Sequence, residues 1–152
     1  MKLKNDEIII GRGNGISKYL SEKLNINSLP SSELKNINLS KFKNIIYTSS
    51  DPSINLRGIE IIDYLEKNII NIYKIINSGF EGSFTYISSV DSGVYEVMNG
   101  KYNNQKEEMF TPYSFSKYSV ELLLTKNKKF QECNILRLGA LWPAKNTSNF
   151  HK

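Results

Sequence analysis

The stretch Glu7-Ile8-Ile9-Ile10-Gly11-Arg12-Gly13-Asn14-Gly15-Ile16-Ser17 decides the fold. Its β-branched run is typical of a buried strand, and it leads directly into three closely spaced glycines. A helix is predicted after the glycines, because Ile16, Leu20 and Leu24 recur four residues apart. In this context glycines let the backbone approach a dinucleotide pyrophosphate, which sits at the helix N-terminus.

The spacing of these glycines leaves two interpretations open. A strict G-x-G-x-x-G motif would put its last glycine at Ile16. In the pattern G-x-x-x-G-x-G, Gly11 and Gly15 fit, and Ser17 replaces the third glycine. The alternative is a glycine-rich turn that holds no ligand. The candidate cofactor-binding residues in this stretch are Gly11, Arg12, Gly13, Asn14, Gly15 and Ile16.

Strands and helices alternate along the rest of the chain. Strands are predicted at 25–28, 36–39, 44–48 and 84–89 and within 134–143, and helices at 57–78 and 114–126. The first of these helices has an apolar stripe and ends at Gly79, a good C-cap. The stripe consists of Ile62, Leu65, Ile69, Ile72 and Ile76. This alternation predicts an α/β fold with a doubly wound parallel sheet in three α/β/α layers.

Lys117 lies in the predicted helix 114–126, and Tyr113 directly precedes that helix. The two residues are four apart, so they face the same side. A free tyrosine loses its proton near pH ~10, whereas a lysine ammonium one turn away lowers that pKa. The pair could therefore exchange a proton with a hydroxyl or carbonyl substrate. A surface tyrosine beside a solvated lysine is the alternative interpretation, because chance often produces this spacing.

Length and composition bound the function. The 152 residues form one predicted domain, and the 39% hydrophobic and 23% charged residues are ordinary for a soluble globular chain. No apolar run approaches ~18 residues, so no membrane span is expected. Only three isoleucines follow the charged start before Gly11, so no signal peptide is expected either. Cys133 is predicted to be a buried thiol, which fits the cytoplasm. The net charge of +5 comes from scattered lysines, so no nucleic-acid partner is expected, and no metal site is predicted.

The sequence leaves the choice between NAD and NADP open. An acidic residue about 20 positions past the glycines usually holds the adenosine ribose, and Glu33 is the nearest candidate. Arg12 could instead meet a 2′-phosphate. Thr48 and Ser49, where the strand 44–48 ends, are further cofactor-binding candidates.

Taken in order, these motifs resemble the short-chain dehydrogenase/reductase superfamily, and within it the extended, NAD-dependent epimerase/dehydratase branch. The resemblance covers about residues 7–143. Ser17 and Glu96 depart from the family pattern, because each stands in place of a glycine. The motifs at 137–139 and 141–143 each carry one substitution. The matching positions are Gly11, Gly15, Asn68 in Asn68-Ile69-Ile70-Asn71, Ser89 in Tyr86-Ile87-Ser88-Ser89, Val94-Tyr95, Pro112-Tyr113-Ser114-Phe115-Ser116-Lys117 with Glu121, Arg137-Leu138-Gly139 and Leu141-Trp142-Pro143.

The resemblance implies a role for four side chains. Tyr113 would act as general acid/base at a substrate hydroxyl, and Lys117 would bind the nicotinamide ribose and depress the tyrosine pKa. Ser89 would hold the substrate oxygen, and Asn68 would support a network of water and backbone. Hydride would pass between the substrate carbon and the nicotinamide of NAD or NADP. The implied substrate is a nucleotide-activated sugar.

The resemblance also sets expectations about assembly and completeness. Family members often pair through helices equivalent to 57–78 and 114–126, so a homodimer is possible. In the extended branch a sizeable region after the last motif builds the substrate pocket, whereas here only residues 144–152 follow. We therefore expect an NAD(P)-binding Rossmann domain at 1–143, an unstructured tail at 144–152 and a largely missing C-terminal substrate region. The expected function is an NAD(P)-dependent epimerase, dehydratase or reductase, and the alternative is a non-catalytic NAD(P)-binding remnant or fragment.

Overall fold

Five parallel strands form one sheet in the order β2-β1-β3-β4-β5. The computed structural model describes residues 4–11, 13, 15–53, 56, 58, 60–95 and 111–139. The strands are β1 (Lys4–Ile10), β2 (Ile26–Leu29), β3 (Asn44–Tyr47), β4 (Ser83–Ser89) and β5 (Glu132–Leu138). The strand order reverses between β1 and β3, which is where open α/β sheets bind their ligands.

Helices cover both faces of this sheet. Helix α1 packs on β1 and β2, and α4 packs on β4 and β5. Right-handed crossovers put these two helices on opposite faces, so the predicted three-layer α/β/α fold is confirmed. The helices are α1 (Gly15–Leu24), α2 (Ile61–Leu65), α3 (Asn71–Ile76) and α4 (Pro112–Lys126), and a π-helical turn (Glu66–Ile70) joins α2 to α3 into one helical rod. Short 3₁₀ turns occupy Ser31–Asn36, Leu39–Lys41 and Val90–Tyr95.

The main core lies between the sheet and the helices α3 and α4. Aromatic side chains of β3 and β4 point into it, and Phe84 stacks on Phe130 with ring centroids 4.9 Å apart. Polar residues stand at the carboxyl ends of β3 and β4, where Thr48 and Ser49 follow the first strand and Ser88 and Ser89 end the second. The core side chains include Ile8, Ile10, Ile45, Tyr47, Ile72, Ile75, Phe84, Tyr86, Val120 and Leu124.

The strand predicted at 36–39 is wrong. Asn36 ends the 3₁₀ turn Ser31–Asn36, Leu39 begins the turn Leu39–Lys41, and Ile37 and Asn38 connect them. Asn38 Oδ1 accepts a hydrogen bond from Ser40 N (3.1 Å) and so begins the second turn. Leu39 reaches the core as a single anchor with 4% of its surface exposed, so its burial does not require a strand.

The helix predicted at 57–78 needs two corrections. It begins at Ile61, because Gly58 has a φ of 70° and Glu60 is extended. Ile62 of the predicted stripe is 61% exposed, and Ile72 is its one fully buried member. The π-helical turn interrupts the regular spacing from which the stripe was inferred. The buried face of the rod is instead Tyr64, Asn68, Asn71, Ile72 and Ile75.

Two smaller expectations also change. On α4, Val120 and Leu124 are buried, but Leu123 is 39% exposed. Cys133 is only partly buried, because β5 is an outer strand of the sheet that the structure describes. Within the described part of the chain, no helix is long and apolar enough to cross a membrane. The same residues contain no cluster of three or more His, Cys, Asp and Glu side chains suited to a metal ion.

Candidate active site

The glycine turn lies at the carboxyl end of β1 and leads into α1. Gly13 and Gly15 have φ angles of 70° and 54°, a left-handed conformation that other residues rarely adopt. The first turn of α1, which contains Ile16, holds no acidic residue, so the positive end of the helix is open to an anion. Two predicted cofactor residues, Arg12 and Asn14, lie outside the described residues.

Gly11 sets the distance between β1, α1 and β3. A Cβ atom at this position would collide with Thr48 Oγ1 and with the Cβ of Ser17. Ser17 is 1% exposed and packs directly on Gly11, so the serine at the third glycine position still permits close contact between helix and strand. Thr48 Oγ1 donates to the carbonyl of Ile10 (3.2 Å) and closes the same junction from β3. These contacts therefore join the carboxyl end of β1 both to α1 and to the residue that follows β3.

A cavity of about 450 Å³ lies at the carboxyl ends of β2 and β3. Its walls are the 3₁₀ turn Ser31–Asn36 and the helical rod. Ser49 lies in its floor, is 4% exposed and donates from its Oγ to Ser31 Oγ (2.9 Å). Thr48 therefore faces the glycine turn, whereas Ser49 faces this cavity.

A capping box fixes the start of α4. Thr111 Oγ1 accepts from Ser114 N (3.0 Å), and Ser114 Oγ accepts from Thr111 N (3.0 Å). Pro112 occupies the first helical position, where its missing N–H costs nothing. These contacts place Tyr113 in the first turn, beside the carboxyl ends of the strands.

Tyr113 meets polar side chains from two strands. Its hydroxyl lies near Ser89, at the end of β4, and near Ser50, shortly after β3, and both serines act to lower its pKa. Ser89 Oγ also donates to Asp91 Oδ2 (2.9 Å), and the N–H of Asp91 donates back to Ser89 Oγ (3.2 Å). Sequence reasoning missed Ser50 and Asp91. Their signal was position, since each lies within two residues of a predicted site serine.

Asn68 holds the segment that follows β3. Its side chain is buried in the π-helical turn, where Oδ1 accepts from Asp51 N (2.9 Å) and Nδ2 donates to Tyr64 O (3.1 Å). The first bond ties the helical rod to the residue next to Ser50. Support of the backbone is what the resemblance implied for Asn68, and its effect on catalysis stays a prediction.

Lys117 lies beneath Tyr113 and is 3% exposed. Its Nζ donates to the carbonyl of Ile87 on β4 (2.9 Å) and lies 5.6 Å from the centroid of the Tyr113 ring. It also lies 4.8 Å from the ring centroid of Tyr86. Burial lowers the pKa of Lys117 to about 8, although the charge of Glu121 opposes this change.

The pKa of Tyr113 moves in the direction opposite to the one predicted. Burial raises it, and hydrogen bonds from Ser89 and Ser50 offset only part of that rise, while the charge of Asp91 adds to it. The expected decrease caused by Lys117 does not prevail, because loss of solvent contact outweighs an ammonium that is itself bonded to a backbone carbonyl. Tyr113 is therefore a phenol, and not a phenolate, at neutral pH.

A buried carboxylate supports the end of β4. Glu121, 5% exposed, accepts from Ser88 Oγ (2.5 Å) and from Arg137 Nε (3.1 Å to each oxygen). Ser92 Oγ lies 2.7 Å from both Glu121 Oε1 and the carbonyl of Ser89. Burial raises the pKa of Glu121, but the bonds from Arg137, Ser88 and Ser92 together hold it below its ordinary value. This network positions the backbone of Ser89.

Solved structures match the chain by fold. No family model matches it, and no curated protein matches its sequence. RMD from Pseudomonas aeruginosa, complexed with NADPH, has a TM-score of 0.63 at 19% identity, over 93% of this chain and 57% of that one. The UDP-N-acetylglucosamine 4-epimerase from Methanobrevibacter ruminantium M1, in complex with UDP-N-acetylmuramic acid, has a TM-score of 0.62 at 18% identity. The match covers 90% of this chain and 55% of that one. TunA, an NAD-dependent NDP-hexosamine 5,6-dehydratase, has a TM-score of 0.64 at 15% identity. The match covers 88% of this chain and 54% of that one.

These matches define the class of fold. The chain has the Rossmann-like, doubly wound α/β fold of these proteins, as predicted. It spans between 54% and 57% of the length of the three solved chains.

Proposed function

We propose that this chain binds NAD or NADP along the carboxyl edge of its sheet and acts as an epimerase, dehydratase or reductase of a nucleotide-activated sugar. The observation that carries the proposal is the meeting of Tyr113, Ser89 and Lys117 beside the switch point between β1 and β3. The matched structures support it, since they include an NADPH complex, an NAD-dependent dehydratase and a sugar-nucleotide epimerase.

The residues at the switch point fit a dinucleotide. The left-handed glycines and the open positive end of α1 suit a pyrophosphate, which Gly11, Gly13, Gly15 and Ile16 would hold. Thr48 and Ser49 would flank it from β3. When bound, the dinucleotide would supply the acceptor or donor of a hydride at its nicotinamide.

The protein's own part in this chemistry is proton transfer. The hydroxyl of Tyr113, protonated at neutral pH, would donate a proton to a substrate oxygen that Ser89 also contacts. Ser50 and Asp91 would orient these two hydroxyls. The Lys117 ammonium, 5.6 Å from the ring centroid, would stabilise the phenolate as the proton leaves.

Dinucleotide binding tests the proposal. Calorimetric titration of the full chain with NAD, NADH, NADP and NADPH is expected to give saturable binding of at least one of them. Gly13→Ala should weaken this binding about tenfold or more, because a Cβ there keeps the backbone from a charge-assisted hydrogen bond to phosphate. Gly79→Ala is the matched control, since Gly79 has a φ of 80° and equally open surroundings, far from the site. Failure of all four dinucleotides to bind would contradict the proposal.

One observation favours the alternative, a non-catalytic NAD(P)-binding remnant. The raised pKa of Tyr113 suits an acid but opposes its use as a base at neutral pH. Such a remnant would bind a dinucleotide and change no nucleotide sugar. Replacing Tyr113 would then have no effect on any turnover.

We also propose that the chain forms a homodimer through the helical rod and α4. Ile61, Ile62 and Tyr73 of the helical rod are 59%, 61% and 60% exposed. Phe115 and Leu122, 54% and 45% exposed, lie seven apart on α4. Exposed apolar side chains on these two helices would be covered in such an interface, and exposed apolar surface is typical of a site that binds another protein.

Substitution on α4 tests the dimer. The wild-type chain is expected to sediment with twice the mass of one chain, and Phe115→Glu to sediment as a monomer, because a carboxylate in an apolar interface costs desolvation free energy. Tyr19→Glu is the control, since Tyr19 is 59% exposed on α1 at the opposite face of the sheet. A monomeric wild type, or a dimer that survives Phe115→Glu, would contradict the proposed interface.

A further inference from the structure

The cavity at the carboxyl end of β2 has an unusual wall for a site that would hold the adenosine of NAD. In dinucleotide folds an acidic residue about 20 positions past the glycines accepts a hydrogen bond from the 2′-hydroxyl of this ribose. Ser31 stands at that place, and Ser32 follows it in the cavity wall. A serine hydroxyl is a donor as well as an acceptor, so this wall suits an anionic group better than an acid would.

The nearest acidic residue faces elsewhere. Glu33 is exposed and is not part of the cavity wall, and its Oε2 accepts from Asn36 Nδ2 (2.8 Å) within the same 3₁₀ turn. Lys35, two residues further on, does line the cavity. Of these two charged residues of the turn, Lys35 therefore lines the cavity and Glu33 does not.

Lys35 differs from the other lysines of the wall in its distance to carboxylates, although, after Lys74, its charge also helps to lower the pKa of Glu66. Of the three lysines in the wall, Lys74 lies 2.6 Å from Glu66 Oε1, and Lys67 lies 3.7 Å from Asp51 Oδ2. Among the residues that the structure describes, Lys35 has no carboxylate oxygen within 4.0 Å. The wall also contains Asp63 and Glu66, but both belong to the helical rod across the cavity.

Ser49 holds Ser31 at the cavity wall. Their Oγ atoms lie 2.9 Å apart, and when Ser49 donates in this hydrogen bond the hydroxyl of Ser31 donates into the cavity. Ser49 is 4% exposed and is held by the end of β3. The position of Ser31 is thus supported by the core of the domain.

We propose that Ser31, Ser32 and Lys35 bind the 2′-phosphate of NADP, and that the chain uses NADP(H) in preference to NAD(H). This inference rests on the proposed dinucleotide site and names its cofactor. A phosphate there would receive hydrogen bonds from two hydroxyls and one ammonium, which are its ordinary partners. A ribose hydroxyl would find no acidic acceptor in the turn that carries these residues.

Calorimetric titration of the full chain with NADPH and NADH tests this preference. The wild type is expected to bind NADPH at least about tenfold more tightly, and Lys35→Glu to weaken NADPH binding about 10- to 100-fold with little change for NADH. Ser31→Asp should narrow or reverse the preference, because it restores the acidic acceptor. Lys41→Glu is the matched control, an exposed lysine in the next 3₁₀ turn and outside the cavity wall.

The outcomes separate this inference from the proposed function. Equal affinity of the wild type for NADPH and NADH overturns the 2′-phosphate site but leaves the dinucleotide site in place. The same holds if Lys35→Glu and Lys41→Glu weaken NADPH binding equally, since only the net charge would then matter. If neither dinucleotide binds the wild type, the proposed function fails, and this inference fails with it. Circular dichroism of each variant shows whether it is folded.

Discussion

Tyr113→Phe is expected to lower turnover of a nucleotide sugar by about 10²- to 10⁴-fold, the usual contribution of a positioned acid or base. The phenyl ring keeps the packing of the first turn of α4 but has no proton to give. Ser89 and Ser50 lose one hydrogen-bond partner each, so the folded chain should lose only about 1 kcal/mol of unfolding free energy. Affinity for the dinucleotide should stay nearly constant, because the substituted hydroxyl serves the substrate.

The measurement is nicotinamide absorbance or sugar-product analysis, with UDP-glucose and UDP-N-acetylglucosamine as the probes and both cofactors supplied. Tyr19→Phe is the control, since it removes an exposed hydroxyl from α1.

Wild-type turnover should fall as the pH rises through about 8, because Lys117 then loses the ammonium that stabilises the phenolate. Equal turnover of wild type and Tyr113→Phe would assign the reaction to other groups, and the remnant interpretation would then stand.

Glu121→Ala is expected to lower the free energy of unfolding by about 3 kcal/mol. Removing one partner of a buried ion pair costs ~3–5 kcal/mol, and the lower value applies because the Arg137 side chain keeps 31% of its surface in water. Ser88 and Ser92 would lose their shared acceptor as well. The folded-state pKa of Glu121 is below its ordinary 4.5, so this stabilisation is fully present above that pH and is lost as the pH falls further.

Urea denaturation followed by circular dichroism measures the loss. Glu132→Ala is the matched control, because Glu132 is an exposed carboxylate on β5 that accepts from Ser83 Oγ (2.8 Å), and its removal should cost less than about 1 kcal/mol. Glu121→Gln keeps an acceptor for the serines but removes the charge, so it should fall between wild type and Glu121→Ala. If Glu121→Ala were no more destabilising than Glu132→Ala, Glu121 would not secure the end of β4.

The sequence predicted the parts of the site that follow from local spacing. Tyr113 and Lys117 share a helix face because they are four residues apart, and Ser89 reaches the same edge because parallel strands all end there. The glycine turn was also predictable, since Gly13 and Gly15 adopt φ angles that favour glycine. These features depend on short-range geometry, which a single sequence records directly.

Other features depend on contacts distant in sequence and could not be predicted. The pKa of Tyr113 follows from its burial against two strands, which no local pattern shows. Leu39 suggested a strand because it is apolar, but it serves as one core anchor between two turns. Asn68 is an unfavourable residue for a helix, and its bond to Asp51 N is visible only once β3 and the rod are packed together.

The π-helical turn has a consequence for the length of the chain at this point. It holds one residue more per hydrogen-bonded ring than an α-helical turn, and each α-helical residue rotates the chain by about 100°. Five π-helical residues turn the chain about as far as four α-helical ones, so deleting one residue between 66 and 70 would let the rod become a regular α-helix with Tyr64 and Ile75 still on one side. The core would then be kept, but Asn68 would no longer be held in the wider turn from which it accepts the N–H of Asp51. The extra residue of this turn therefore serves the loop after β3 and not the core, and the loop is what a one-residue deletion would release.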